Sequence, residues 1–198
     1  MDCSPADGYL PLRRPTAALL RNALNSKPLP FDHLHGGGKP ATLRLASLAG
    51  IGPGSRVADL GGGIGGPART LAAELGCTVD VVDLTEEFCK VGAWLTSLTK
   101  LEDKIRFYHA SALQTTLPSG AYNIVWMENS GMNIEDRQTL YNEVHRLLRP
   151  AGRYALAEVM AGPVTPMHYP MNWASASEMV LPLSTRRSVQ LHRSCGVP

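Results

Sequence analysis

The sequence contains little of several features that would assign a chain to a particular class of protein. Aromatic residues make up only 6% of the 198 residues, so aliphatic side chains must fill most of a core. No apolar run approaches the ~18 residues that a membrane-spanning helix needs. The first residues also lack the charged-then-apolar pattern of a secretory signal. We therefore expect a chain that neither spans a membrane nor carries a secretory leader.

Cysteine is scarce and scattered. The four cysteines, Cys3, Cys77, Cys89 and Cys195, form no CxxC pair, whereas metal sites and disulfide frameworks use regular cysteine spacings. The pattern predicts free thiols in a reducing, cytoplasmic setting. His33 and His35 are close in sequence but have no further neighbouring ligands, so we predict no metal site.

The chain also lacks a strong charge of one sign. Its formal net charge is +2, and two short stretches with several basic residues lie near the ends, at 13–27 and 186–193. Short charged stretches of this kind are usually solvated surface. We therefore expect neither a nucleic-acid nor a membrane partner.

What the sequence does contain is a regular alternation of strand and helix patterns after Gly54. Short β-rich runs predict strands at 57–60, 78–82, 105–109, 122–127 and 153–159, and helical spacing predicts helices at 39–49, 67–75, 86–98 and 135–148. The expected helix faces include Leu48 in the first helix and Phe88, Val91 and Trp94 in the third. Parallel strands need crossover connections, so the alternation predicts a Rossmann-like, doubly wound α/β fold with a mostly parallel sheet of about five strands.

Length and pattern together divide the chain into three parts. A proline-rich N-terminal arm or lid covers 1–38, the α/β domain covers 39–160, and an acceptor-side loop and atypical tail cover 161–198. Ligands of such sheets bind beyond the carboxyl ends of the strands, near the point where the strand order reverses.

A glycine-rich loop stands at that point, in the stretch Asp59-Leu60-Gly61-Gly62-Gly63-Ile64-Gly65-Gly66. Gly61, Gly63 and Gly66 satisfy G-x-G-x-x-G, a pattern that lets a ligand approach the backbone. A nicotinamide dinucleotide fits the loop, because Asp83 follows the second strand where a ribose-binding acid is expected. Asp59 favours another ligand, since it would repel a pyrophosphate and attract the ammonium and sulfonium of S-adenosylmethionine.

Three motifs make this preference specific. The stretch D-L-G-G-G-I-G-G resembles the first motif of class I S-adenosylmethionine-dependent methyltransferases, and Val82-Asp83-Leu84 resembles their second. The run Leu147-Leu148-Arg149-Pro150-Ala151-Gly152 is similar to their turn before the fifth strand, which dehydrogenases lack. The resemblance extends from about residue 31 to residue 173. It is strongest to small-molecule enzymes of the sarcosine/dimethylglycine, tocopherol and ubiquinone/menaquinone types, whose corresponding segments are similar to residues 31–37 and 126–132 of this sequence.

The resemblance implies a cofactor site. Asp59 and the loop glycines Gly61, Gly63 and Gly65 would face the methionine part, Asp83 the ribose and Leu84 the adenine. Ser111 and Ala112 stand where the family usually has an acid for the adenine amine. A serine hydroxyl can accept that hydrogen bond, but more weakly than a carboxylate.

The resemblance also implies the reaction, an in-line transfer of the methyl group to a nitrogen, oxygen or carbon of a small organic acceptor. S-adenosylhomocysteine would be the product. Glu128 is the candidate catalytic residue, which would bind the cofactor, position a cationic acceptor or act as a base. Candidates for the acceptor side are His33, His35, Asn129, Met132, His168 and Trp173.

The end of the chain departs from the family. Residues 183–198 have neither a helical face nor strand alternation, so the usual last pair of strands is missing from the pattern. An open fifth strand would be a pairing edge that proteins usually cover, which suggests a homo- or hetero-oligomer. The alternative function is therefore a cofactor-binding pseudoenzyme or a subunit that needs a partner chain. An NAD-dependent oxidoreductase is less favoured.

Overall fold

The structure, a computed structural model, describes residues 32–33 and 35–159. Most of the predicted N-terminal arm and the whole 161–198 region lie outside these residues, and so do His168 and Trp173. The predicted division into three parts and the predicted absence of the last strand pair stay predictions.

The described chain forms one five-stranded sheet with the order β3-β2-β1-β4-β5. The strands are β1 (Arg56–Leu60), β2 (Thr78–Asp83), β3 (Ile105–His109), β4 (Tyr122–Glu128) and β5 (Leu148–Ala157). Every neighbouring pair is parallel. The predicted doubly wound α/β fold is confirmed, and the strand order reverses between β1 and β4.

Four α-helices connect or precede the strands: α1 (Gly38–Ala49), α2 (Gly66–Leu75), α3 (Glu86–Leu98) and α4 (Arg137–Leu147). A 3-10 turn, Gly131–Asn133, follows β4. Gly50 and Gly76 end α1 and α2 in the left-handed conformation, and the Gly50 N–H bonds back to the last turn of its helix. Glycine adopts this conformation without a Cβ clash, which explains why both helices stop there.

The sheet is buried on both faces. On one face Val57, Val81 and Trp126 pack with α1 and α2, through residues such as Ala46, Ala68 and Leu71. On the other face Ala58, Val125 and Met127 pack against α4. Because consecutive strand residues point to opposite faces, the short strands read as unbroken apolar runs in the sequence.

The junction of α4 and β5 differs from the prediction. The helix begins at Arg137 instead of 135, because the Asp136 carboxylate caps it by accepting from the Thr139 N–H at 3.0 Å. The predicted fifth strand, 153–159, in fact begins at Leu148 and ends at Ala157. The predicted turn at 150–152 lies inside this strand as an irregularity in its pairing with β4. Tyr122 pairs with Leu148, but Ile124, two residues later, pairs with Arg153, so the pairing shifts between them.

Two predicted helix faces were wrong in part, although Ala49 and Leu95, which belong to them, are buried as expected. Leu48 of α1 is 74% exposed, and Phe88, Val91 and Trp94 of α3 are 42–43% exposed. The buried face of α3 carries the predicted Leu95 together with the smaller residues Cys89, Gly92 and Thr96. A Cβ at Gly92 would lie 2.3 Å from the Phe107 ring, so the close approach of α3 to β3 requires this small residue. Apolar spacing alone therefore predicted the burial of Leu95 but placed the exposed Phe88, Val91 and Trp94 on the same face.

Candidate functional site

The carboxyl ends of β1, β2 and β4 lie side by side and bring together Asp59, Asp83 and Glu128. A cleft opens beside them in two compartments of about 180 and 450 Å³. Gly61, Asp83 and Ser130 line both compartments. This is the switch point of the sheet, where doubly wound folds bind their ligands, and the volumes suit a small-molecule site.

The glycine loop is shaped by left-handed backbone and close contacts. Gly61, Gly63 and Gly65 have φ values of 73°, 56° and 76°, a region that residues with a Cβ rarely adopt. A Cβ at Gly61 would also lie 2.5 Å from the Ser130 side chain. Gly65 caps the N-terminus of α2 without lining either compartment.

Asp83 connects this loop to the next helix. One carboxylate oxygen accepts from the Gly63 N–H at 2.9 Å, and the other accepts from the Thr85 N–H at 2.8 Å. The side chain also lines both compartments. A carboxylate has about four acceptor positions, so Asp83 retains capacity for hydroxyl donors while it holds the loop.

Asp59 is the most unusual group of the site. Its residue is 2% exposed, and its Oδ2 atom has no hydrogen-bond partner among the described residues. Burial raises the pKa of this carboxyl well above its ordinary value, and the negative charges of Glu128 and Asp83 raise it further. Since Asp59 lines the smaller compartment, it is a buried acid placed to receive a donor or a cation from the cleft.

Glu128 lies at the other side of the same compartment and is held by neighbours. Its Oε2 accepts from the Thr42 hydroxyl at 3.0 Å and from the Trp126 indole N–H at 3.2 Å. His35 Nε2 lies 3.6 Å from the same oxygen. Burial raises the pKa of Glu128, and His35, Thr42 and Trp126 partly offset this rise.

The two predicted histidines belong to one polar cluster but have different positions. His35 lines the smaller compartment, whereas His33 is buried behind it with its Nε2 atom 2.9 Å from the Thr70 hydroxyl. His33 Nδ1 and His35 Nε2 are 3.3 Å apart, and Thr42 Oγ1 lies within hydrogen-bonding distance of both rings. Burial, and next the neighbouring His35, lower the pKa of His33.

The segment before α1 is locked against α2. The Asp32 carboxylate forms an ion pair with Arg69, which is 5% exposed and also donates to the Ile64 carbonyl at 2.7 Å. A Cβ at Gly66 would lie 1.5 Å from the Asp32 carbonyl oxygen. The third glycine of G-x-G-x-x-G therefore makes room for this segment, which in turn places Asp32 and His35 at the cleft.

The larger compartment contains the residues expected beside an adenine. Leu84, Ser111 and Ala112 all line it, and Leu84 is 72% exposed. The Ser111 hydroxyl accepts from the Leu113 N–H at 3.2 Å. Glu135 and Asp136 line the same compartment from the loop before α4, so acids are present there although none follows β3.

The predicted site residues thus fall into two groups. The cleft is lined by Asp59, Gly61, Gly63, Asp83, Leu84, Ser111, Ala112, Glu128, Asn129 and His35. Gly65, His33 and the buried Met132 do not line either compartment. Sequence reasoning missed Asp32, Phe88, Ser130 and Glu135. Ser130 had a signal, because it follows the fourth strand, whereas the position of Asp32 depends on its long-range contact with Arg69.

Two further features are absent from the described part of the chain. There, no three His, Cys, Asp or Glu side chains are grouped so that they could hold a metal ion. Nor do those residues include a helix of the length and apolarity needed to cross a membrane.

Comparison with known proteins identifies the domain. The methyltransferase domain family matches residues 57–152. The methyltransferase GfsG of Streptomyces halstedii is 29% identical over 133 residues, which cover 67% of this chain and 48% of that protein. The glycine/sarcosine/dimethylglycine N-methyltransferase of Actinopolyspora halophila is 33% identical over 118 residues, which cover 60% of this chain and 21% of that protein.

Solved structures agree on the fold. The geranyl diphosphate C-methyltransferase of Streptomyces coelicolor A3(2) superposes with a TM-score of 0.69 at 24% identity, over 79% of this chain and 59% of that one. The chain spans less than half the length of the two curated relatives described above. The matched residues include the glycine loop, Asp59, Asp83 and Glu128. Residues 57–152 therefore form a methyltransferase domain, as their match to that family's model indicates.

Proposed function

We propose that this chain binds S-adenosylmethionine in the cleft and transfers its methyl group to a small organic molecule. The cofactor half of the proposal rests on one observation, the buried carboxyl of Asp59, a residue that lines the cleft and whose Oδ2 atom has no partner among the described residues. Leaving such an acceptor unsatisfied costs about 1–3 kcal/mol. A ligand that brings an ammonium group to this oxygen would recover that cost.

The charge of the cleft supports a cationic ligand. Asp32, Asp59, Asp83 and Glu128 line the smaller compartment, and Glu135 and Asp136 line the larger one, whereas no lysine or arginine of the described residues lines either. The ammonium and sulfonium of S-adenosylmethionine would be attracted here. The pyrophosphate of a nicotinamide dinucleotide would be repelled, so the arrangement disfavours the NAD alternative.

The residues present fit the parts of this cofactor. Asp59 and the loop around Gly61 and Gly63 would hold the methionine end, and Asp83 would bind the ribose hydroxyls. Leu84, Ser111 and Ala112 would pack on the adenine, with Glu135 as a further acceptor at the compartment wall. When bound, S-adenosylmethionine supplies a methyl group that is already activated, so the chain mainly aligns the reactants and excludes water.

The structure of the Streptomyces coelicolor relative was solved with S-adenosylhomocysteine, and the Actinopolyspora relative is named for small amino-acid acceptors. These names support a small-molecule acceptor for this chain. The cytoplasmic setting, the oligomeric state and the need for a partner chain stay predictions.

Turnover tests the methyl-transfer half of the proposal. Purified chain incubated with S-adenosylmethionine and a mixture of small phenols, enols and amines is expected to form S-adenosylhomocysteine, measured by mass spectrometry. Asp83→Ala should lose most of this product, while Glu102→Gln, at an exposed position away from the cleft, should keep it. Cofactor binding without any turnover would instead favour the alternative, a subunit that needs a partner.

A further inference from the structure

We propose that Glu158, which follows β5, is a positioning residue for the cofactor cleft, and that its carboxylate sets the affinity for the cofactor by fixing the loop after β4. Residues 129–134 form this loop, the wall loop. Glu158 itself lines neither compartment of the cleft, so it acts through the wall loop. The role assigned to Glu158 rests on the proposed binding of S-adenosylmethionine and deepens it.

The wall loop borders both compartments of the cleft. Asn129 and Ser130 line the smaller compartment, and Ser130, Asn133 and Ile134 line the larger one. The Ser130 hydroxyl also donates to the Leu60 carbonyl oxygen at 3.0 Å, which ties the wall loop to the start of the glycine loop. A displacement of the wall loop would therefore change the shape of the space proposed for the cofactor.

The Glu158 carboxylate binds the wall loop with both of its oxygens. Oε1 accepts from the Gly131 N–H at 2.8 Å, and Oε2 accepts from the Met132 N–H. Both N–H groups belong to the 3-10 turn Gly131–Asn133, whose own hydrogen bonds begin at the Asn133 N–H. The first N–H groups of a helical turn have no partner within it. Glu158 thus supplies the acceptors that the turn lacks.

Two features of the wall loop show how closely the end of β5 holds it. Asn129 has a φ of 54°, a left-handed conformation that is uncommon outside glycine, and its N–H donates to the Ala157 carbonyl oxygen at 2.8 Å. Gly131 leaves room for the carboxylate, because a Cβ there would lie 2.8 Å from Glu158 Oε1 and 2.6 Å from Met127 Sδ. The contact therefore depends on a missing side chain in the wall loop as well as on Glu158.

The charge of Glu158 strengthens this contact. Burial raises the pKa of its carboxyl, and the N–H groups of Gly131 and Met132, together with the positive charge of Arg137, partly offset the rise. The ionised carboxylate accepts through both oxygens, whereas a glutamine amide of the same shape has one acceptor and would turn its NH2 group toward the other N–H. Glu158→Gln is therefore the variant that breaks the contact with the least change in shape.

Glu143 of α4 provides a matched control. It is a buried glutamate that also accepts from a backbone N–H, that of Thr115 at 2.8 Å in the loop before β4. Neither Glu143 nor Thr115 lines a compartment of the cleft. Both Glu143→Gln and Glu158→Gln should lower the unfolding temperature, whereas only Glu158→Gln should alter the cleft. The pair separates a loss of stability from a loss of positioning.

Hydrogen exchange followed by mass spectrometry measures the wall loop in the ligand-free chain. In Glu158→Gln, exchange is expected to become faster in peptides that cover 129–134 and to stay unchanged in peptides that cover 115–119. Glu143→Gln should give the reverse result. Unchanged exchange of 129–134 in Glu158→Gln would overturn the assignment, because the carboxylate would then not hold the wall loop.

Calorimetric titration with S-adenosylhomocysteine connects the wall loop to the site. Glu158→Gln is expected to bind about tenfold more weakly than the wild type, a loss of the size that one hydrogen bond to a charged group contributes. Glu143→Gln should bind as the wild type does. Gly131→Ala displaces the same carboxylate and is the second variant, should Glu158→Gln not fold. The double variant should lose little more than either single one, since both changes break one contact; fully additive losses would contradict this.

The wild-type titration separates the role of Glu158 from the proposed function. If the wild type binds S-adenosylhomocysteine and both Glu158→Gln and Gly131→Ala bind it equally well, the positioning role fails and the cofactor site stands. If the wild type does not bind it, the proposed function itself fails, and the role of Glu158 in cofactor binding fails with it. Weaker binding in both variants, with Glu143→Gln unchanged, is the result expected.

Discussion

Asp59 is buried on β1, beside Val81 of one neighbouring strand and Trp126 of the other. Its carboxyl has a pKa well above the ordinary value, mainly through burial and then through the charges of Glu128 and Asp83. A group with a raised carboxyl pKa contributes stability while it is protonated, below its unfolded pKa, and loses that contribution as pH rises through its folded pKa. The ligand-free chain therefore keeps an acid whose ionisation opposes folding.

This acid should couple cofactor binding to proton release. A cationic ligand favours the ionised form, so S-adenosylmethionine should bind more tightly as pH rises toward the raised pKa of Asp59. Binding at lower pH should release up to one proton, which calorimetry detects as a dependence of the binding enthalpy on the buffer's ionisation enthalpy. A binding enthalpy that is independent of the buffer at every pH would contradict this coupling.

The matched variant is Asp59→Asn, which keeps the shape and removes the titration. It should bind S-adenosylmethionine at least ~10-fold more weakly, corresponding to ~1.4 kcal/mol. The same variant should unfold at a higher temperature than the wild type near neutral pH without ligand, because it no longer buries an ionisable acid. Stability gained at the expense of binding is common at functional sites.

At the scale of elements, the segment before α1 lines the cleft and is held in contact with α2. Asp32 pairs with the buried Arg69, and the absence of a side chain at Gly66 lets the two elements approach. Removing one partner of a buried ion pair leaves the other without compensation.

Asp32→Asn should therefore destabilise the chain by about 1–3 kcal/mol, because the Arg69 guanidinium would keep its carbonyl contacts but lose its carboxylate. Denaturant unfolding of the purified variant measures the change. Glu74→Gln is the matched control, since it breaks the exposed Lys39–Glu74 pair, for which a loss of at most ~1 kcal/mol is expected. Equal effects of the two substitutions would contradict the structural role of the Asp32 contact.

The elements also show what the sequence could predict. Strand and helix positions followed from apolar periodicity, and the bounds of α3 and β3 were predicted as the structure has them. The orientation of α3 did not follow, because it depends on Gly92 fitting against Phe107 of a different element. The start of β5 at Leu148 was missed for a similar reason, since pairing with β4 decides it.

At the scale of the whole molecule, the strand order β3-β2-β1-β4-β5 brings three acids that are far apart in sequence to the carboxyl ends of neighbouring strands. These acids are Asp59, Asp83 and Glu128. Asp59 and Asp83 were predictable as site residues, because motif and strand order place them. The network of His35, Thr42 and Glu128 was not, since it joins α1 and the preceding segment to β4. Long-range contacts of this kind carry no local sequence signal.

We expect the acid-lined cleft to select S-adenosylmethionine over a nicotinamide dinucleotide. Calorimetric titration of the purified chain with S-adenosylmethionine and, separately, with NAD tests it most directly, with Asp83→Ala as the control. We expect micromolar binding of S-adenosylmethionine, lost in the control, and no measurable heat with NAD. Binding of NAD with no response to S-adenosylmethionine would contradict it.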